Sequence, residues 1–121
     1  MSVPLVAEYV GVVSYRRNHD RPDTFVATWY STRTNEPRLG SGLAQGDTTS
    51  KGFCGVHEIR YYEPNGEPAG VPFELTVEPN GEIRDLTWRY QGRVIFKGIG
   101  IETSDQLIAS YWRLTTPLPA G

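Results

Sequence analysis

Short runs rich in Val, Ile, Thr and aromatic residues recur along the chain between clusters of Gly, Pro, Asn and Asp, and within most of them apolar and polar residues alternate. A period of two places successive side chains on opposite faces of a strand. On this pattern we expect about eight strands, near residues 6–15, 24–31, 38–44, 51–62, 71–78, 82–90, 93–101 and 105–114. No stretch carries a convincing helical period. The alternation also assigns faces. Leu86, Trp88 and Tyr90 fall on one face with Arg84, against Asp85, Thr87 and Arg89 on the other, so the Trp88 face is expected to point inward. Phe25, Ala27 and Trp29, then Phe73, Leu75 and Val77, follow the same sense, as do Phe53, Gly55, His57, Ile59 and Tyr61. The last two strands are apolar on both faces: Ile95, Ile99 and Ile101 oppose Val94 and Phe96, and Ile108 and Trp112 oppose Leu107, Ala109 and Tyr111. A strand of that kind needs cover on its outer side.

Turn chemistry and an internal echo set the architecture. Glu-Pro-Asn-Gly occurs at 63–66 and again at 78–81, and the second copy reads as a tight hairpin because Asn-Gly readily supplies positive φ. Gln91-Gly92 and Thr103-Ser104-Asp105 are expected turns of the same kind, so the second half reads as a four-strand meander. Thr28-Trp29, Gly40-Ser41-Gly42 and Asp47 in the first half match Thr87-Trp88, Gly98-Ile99-Gly100 and Asp105 in the second. Eleven residues carry Trp29 to Gly40 and ten carry Trp88 to Gly98, with five from Gly42 to Asp47 and five from Gly100 to Asp105. A repeat of this kind bears directly on fold. The expected fold is all-β: about eight antiparallel strands in a meander barrel built from two similar four-strand halves, near 6–62 and 71–114, within one domain spanning 1–121. Two packed sheets would give the same period.

Composition narrows the classes of function. At 121 residues the chain supports one core. Thirteen Gly and nine Pro favour short strands and tight turns. A formal net charge of −2 provides no basic footprint for nucleic acid. No apolar run reaches the roughly 20 residues of a membrane helix, and the first residues lack a signal-peptide pattern, so the chain reads as cytoplasmic. Cys54 is the single cysteine, and two distant histidines with one cysteine provide no metal-ligand spacing, so neither metal nor cofactor is expected.

The candidate chemistry is sparse. Cys54 and His57 lie three apart on an expected strand, which directs them to opposite faces and argues against a nucleophile–base pair. His57 among inward aromatics can hold a ligand or serve as a satisfied core histidine. His19 sits in a charged loop. Neither Gly-x-Gly precedes a helix, so neither is a phosphate loop; both suit places where Trp29 or Trp88 lies across the backbone. The candidate ligand-binding set is Trp29, His57, Tyr61, Arg84, Trp88, Tyr90 and Tyr111, aromatics with polar tips that could stack a flat molecule and fix one polar end. A barrel of this size can equally be filled by its own side chains.

Phe73 to Trp88, followed by Phe96 to Leu107 and Tyr111-Trp112, resembles the repeating hairpin unit of calycin-like barrels, the broad lipocalin-like and avidin-like group. That group includes the lipocalin-like type III secretion negative regulators, which are dimeric. The markers are a strand Trp, a Gly-x-Gly strand and a turn Asp, and they are structural. The Gly-x-Trp of lipocalins is replaced by Tyr9-Val10-Gly11, and no biotin site carries over. Three readings follow. The first is a non-catalytic barrel holding a small apolar or aromatic molecule at its wider end. The second is a regulatory barrel with a filled interior, acting as a homodimer through Ile99, Ile101, Ile108 and Trp112. The third is an isomerase or cyclase that works by confinement, with His57 or Arg84 as its polar handle.

Overall fold

The alternating runs form one sheet that bends round until its first and last strands meet. The structure is a computed structural model describing residues 9–18, 20–21, 24–34, 36–46 and 52–119, with backbone alone for 115–119. Its strands are β1 (Val10–Arg17), β2 (Thr24–Ser31), β3 (Gly40–Gly46), β4 (Gly55–Tyr62), β5 (Phe73–Asn80), β6 (Ile83–Tyr90), β7 (Arg93–Glu102) and β8 (Gln106–Pro119). Each pairs antiparallel with the next, and β1 pairs with β8 through Val10↔Trp112, Val13↔Ala109 and Arg16↔Gln106, giving a closed barrel in meander order. Closure decides between the two architectures that share the period, and the two-sheet alternative falls away. Among the described residues no helix is long and apolar enough to cross a membrane. Residues 6–8 of the first expected strand, His19 and Asp47 lie outside the described residues.

Two hairpins follow their turn residues. Gln91 and Gly92 both take positive φ, 50° and 75°, the requirement of a type I′ turn. The other turn is displaced by one residue: Asn80 pairs with Ile83, so the loop is Gly81-Glu82, with positive φ at Gly81. A larger difference precedes β4. Residues 52–54, expected as strand, instead form a plug, because Gly52 and Gly55 take φ of 82° and 130° and turn the chain so that Phe53 enters the barrel end.

The ambiguity of the last two strands resolves by register. Leu86 pairs with Gly98, Gly100 with Ala109 and Gly98 with Tyr111, so Gly98, Gly100, Leu107, Ala109 and Tyr111 face inward. Ile99, Ile101 and Ile108 face outward and are exposed. A bulge shifts the β6–β7 register between Trp88 and Arg89, leaving Ile95 as the extra residue on β7.

Glycine makes room for the inward indoles in both halves. A Cβ on Gly40 would land within the Trp29 ring. On Gly98 it would meet the Trp88 ring at 3.0 Å and the Ser110 carbonyl oxygen at 2.7 Å. Gly40→Ala is therefore expected to destabilise the fold by about 1–3 kcal/mol in urea unfolding and to alter near-UV circular dichroism, because the site is already full. Ser41→Ala, on the exposed face beside it, should stay within about 0.5 kcal/mol.

Candidate ligand-binding site

The barrel interior divides into a packed half and an open half. At the end bearing the β1–β2, β3–β4, β5–β6 and β7–β8 connections, Phe25, Leu75, Val77, Leu86 and Leu107 are buried. The 52–54 plug closes this end. Phe53 stacks on Phe25 with centroids 4.7 Å apart, Arg17 donates to the Gly52 carbonyl at 3.0 Å, and the Phe53 amide approaches Glu102 Oε1 at 3.4 Å.

Two residues assigned to the binding set lie in this closed half. His57 is buried, edge-on to Phe25, and its Nε2 is 2.8 Å from the Phe53 carbonyl oxygen. Since a carbonyl only accepts, Nε2 carries the proton and the imidazole ties down the plug. Arg84 pairs with Glu102 at 3.2 Å, both side chains being largely buried. Alternation placed both residues on the inward face correctly but could not say at which end of the barrel they stand. Tyr90, at the last position of β6 beside the bulge, is exposed and lines a shallow outer groove with Val56, Glu58 and Arg60. None of the three lines the open half. Cys54 precedes β4 and is partly buried; the ring nitrogen of His57 bonds the plug carbonyl rather than serving a nucleophile.

The other four candidates come together. Trp29, Tyr61, Trp88 and Tyr111 surround a cavity of about 450 Å³ that opens at the opposite end. Its floor is a hydrogen-bonded layer. Trp88 Nε1 donates to the Tyr61 hydroxyl at 2.6 Å, and the Tyr61 and Tyr15 hydroxyls share a hydrogen bond of 2.5 Å. Tyr15 is buried beneath that contact, so these bonds mark the boundary between core and cavity. Trp29 is fixed by Nε1 donating to the Ser41 carbonyl at 2.8 Å. The walls are tilted and edge-on aromatic pairs: Trp88–Tyr111 at 5.7 Å, Phe96–Tyr111 at 5.8 Å and Phe73–Phe96 at 5.7 Å between centroids. Such geometry suits the ring quadrupoles and keeps the walls rigid.

The mouth contains residues that the candidate set omitted. Tyr9, Ser31, Arg33, Ala69, Gly70 and Arg113 complete the lining with Phe73 and Phe96. Arg33 lies over the Tyr9 ring at 5.8 Å and reaches Glu63 at 3.3 Å. Arg113 lies over the Phe96 ring at 5.7 Å. The signal for Arg113 was present in the sequence: the inward alternation Leu107, Ala109, Tyr111 extends one step to Arg113, whose register partner is Phe96. Arg33 sits in the β2–β3 connection, where no period applies. Among the described residues no group of three or more His, Cys, Asp or Glu could hold a metal. Compared with models of protein families, with curated proteins and with solved structures, the chain matches none.

Burial suppresses the ionisation of the tyrosines around this cavity. For Tyr15 and Tyr61, and less deeply for Tyr111, desolvation is the leading cause, and all three are held well above the ordinary tyrosine range. The folded values exceed the unfolded ones, so the neutral hydroxyls contribute stability that is complete below about pH 10 and is lost as pH rises through the folded values. In an alkaline titration followed at 295 nm, these three of the seven tyrosines should ionise only with loss of the circular dichroism of the folded barrel. Full tyrosinate absorbance on an intact barrel would contradict the hydrogen-bonded floor.

Proposed function

We propose that this protein is a non-catalytic barrel that binds a small, flat, largely aromatic molecule in the cup above Tyr61. The observation carrying the reading is a cavity of about 450 Å³, within the range usual for small-molecule sites. It is walled by fixed aromatic rings and backed by a satisfied polar floor. The closed eight-stranded meander is compatible with calycin-like barrels, which supports a ligand-holding role and would make this chain a short relative of that group. The cup has indole and phenol edges to stack against a ring system, with the Ser31 hydroxyl and the Tyr111 hydroxyl within the same wall. The polar handles of the confinement reading, His57 and Arg84, are engaged at the closed end, so catalysis has no support from them.

N-phenyl-1-naphthylamine, a neutral probe that fluoresces in apolar surroundings, is expected to bind with a blue shift and to quench emission from Trp29 and Trp88. Ala69→Leu places bulk into the cavity from its lining and should weaken that binding by roughly tenfold, about 1.4 kcal/mol. Unchanged affinity in the variant, or no binding by the wild-type protein, would overturn the reading.

A second reading rests on the outer wall. Ile99, Ile101 and Ile108 are exposed side by side across β7 and β8, and Val10 and Val12 continue the band on β1. Trp112 pairs with Val10 on the same face. We infer that a second copy covers this band, since a two-fold contact lets one apolar face cover another like it. Sedimentation should then show a dimer that Ile108→Arg converts to monomer while leaving N-phenyl-1-naphthylamine binding intact. A wild-type monomer at all concentrations would remove this reading.

A further inference from the structure

The floor of the cup is satisfied atom by atom but not proton by proton, and the difference narrows the ligand class, in an inference that rests on the cup being a ligand site. A tyrosine hydroxyl has one proton to give and two lone pairs to receive, and an indole N–H only gives. Tyr15, Tyr61 and Trp88 therefore bring three protons to the cluster. Two contacts join them, the Tyr15 and Tyr61 hydroxyls at 2.5 Å and Trp88 Nε1 to the Tyr61 hydroxyl at 2.6 Å, and each contact takes up one proton. The Trp88 proton also acts on the Tyr15 oxygen, and sharing it leaves the count unchanged. Both phenols keep their protons, because burial disfavours the charged forms. One hydroxyl proton is left over, and it belongs either to Tyr15 or to Tyr61.

Position decides which. Tyr15 is 1 % exposed and is not among the residues lining the cavity, and among the described residues its hydroxyl has no acceptor other than the Tyr61 oxygen. A proton stranded there would cost the desolvation of a buried donor, about 1–3 kcal/mol. Tyr61 does line the cavity, where an incoming group can receive its proton. Tyr15 therefore donates to Tyr61, and the Tyr61 oxygen receives from Tyr15 and from Trp88 at once. Two donors on one oxygen polarise its own O–H and make it the stronger donor. Other polar groups of the wall are already engaged: Trp29 Nε1 donates to the Ser41 carbonyl, and the Tyr111 hydroxyl lies 3.5 Å from the Tyr30 carbonyl. We propose that the ligand is an aromatic molecule with a neutral hydrogen-bond acceptor at its inner edge, a ring nitrogen or a ring carbonyl, which receives the Tyr61 hydroxyl proton. A ligand with an N–H or O–H at that edge meets an oxygen whose two lone pairs are both taken. An anion is disfavoured there by the same desolvation that keeps the phenols neutral.

The test uses three probes that are uncharged at weakly alkaline pH: naphthalene, quinoline, which places one ring nitrogen in the same outline, and indole, which has a ring N–H instead. Each is titrated against bound N-phenyl-1-naphthylamine. Tyr61→Phe is expected to weaken quinoline about tenfold, the size of one hydrogen bond. Naphthalene should be unchanged and indole no weaker, which also reports that the variant keeps its cup. Tyr15→Phe retains the Tyr61 hydroxyl and should keep most of the quinoline affinity. Nitrogen-15 quinoline in the wild-type cup should resonate as it does in water rather than in cyclohexane, a reading independent of whether Tyr61→Phe folds. A cyclohexane-like resonance, a quinoline loss in Tyr61→Phe no greater than that of naphthalene or indole, or an equal loss in Tyr15→Phe would overturn the acceptor assignment while leaving the cup as a ligand site. Failure of the wild-type protein to bind N-phenyl-1-naphthylamine would overturn the cup reading and this inference together.

Discussion

An eight-stranded barrel has barely enough interior for its own side chains, so an open space within it must be fenced off by a layer that is packed and hydrogen-bonded at once. Here that layer is the chain from Tyr15 to Tyr61 to Trp88. The three side chains come from β1, β4 and β6, so the layer ties together strands that do not pair with one another. Below it the interior is packed solid by aliphatic side chains together with Phe25, Phe53 and His57, and above it the walls are rings around an open space. Were the Tyr61 hydroxyl absent, the Trp88 N–H would lose its partner in a poorly hydrated place, a loss of roughly 1–3 kcal/mol. Position of the floor, depth of the cup and rotamer of Trp88 are therefore one constraint seen from three sides.

The remaining features follow from fitting large rings into a small cylinder. Two indoles can point inward only where the strand beside them carries no side chain, which is the office of Gly40 for Trp29 and Gly98 for Trp88. Gly11 does the same for the Tyr111 ring. The closed end solves a different problem. There the backbone of the plug supplies carbonyl and amide groups that need partners, and Arg17, His57 and Glu102 provide them. His57 and the Arg84–Glu102 pair thus stand at the sealed end of the barrel, while Arg33 and Arg113 at the opening stack on aromatic rings.

How much of this could be read from the chain depends on what a period of two encodes. It encodes the face of a strand, and so the inward course of Trp29, Tyr61, Trp88, Leu75 and His57 was legible. The glycine–indole pairing was legible too, because the two halves repeat it at nearly equal spacing. Height along the barrel axis is another matter. It depends on strand stagger, which arises from pairing between strands, and a single strand's pattern has no record of it. For that reason His57 and Arg84 could be placed inside yet not at the closed end. The bulge at Ile95 likewise breaks the alternation near Tyr90 without an evident mark in the sequence. Arg33 lies where no alternation applies, whereas Tyr9 falls in the first expected strand with the parity of Val13 and Tyr15; only the folded chain brings them beside Phe96 and Arg113.

Joining β1 to β8 has a kinetic side. Ser14 and Gln106 are bonded at 2.6 Å across 92 residues of chain, and the whole β1–β8 ladder spans similar separations. Contacts of this order form late, because the ends of a long loop must first meet. Until they do, β1 presents an unpaired edge with Val10, Val12 and Val13 along it, and the forming sheet has the two free borders through which β-proteins stick to one another. The closing seam therefore ends the life of both adhesive edges in a single event, and the hazard to this protein is concentrated in the interval before its last strand arrives.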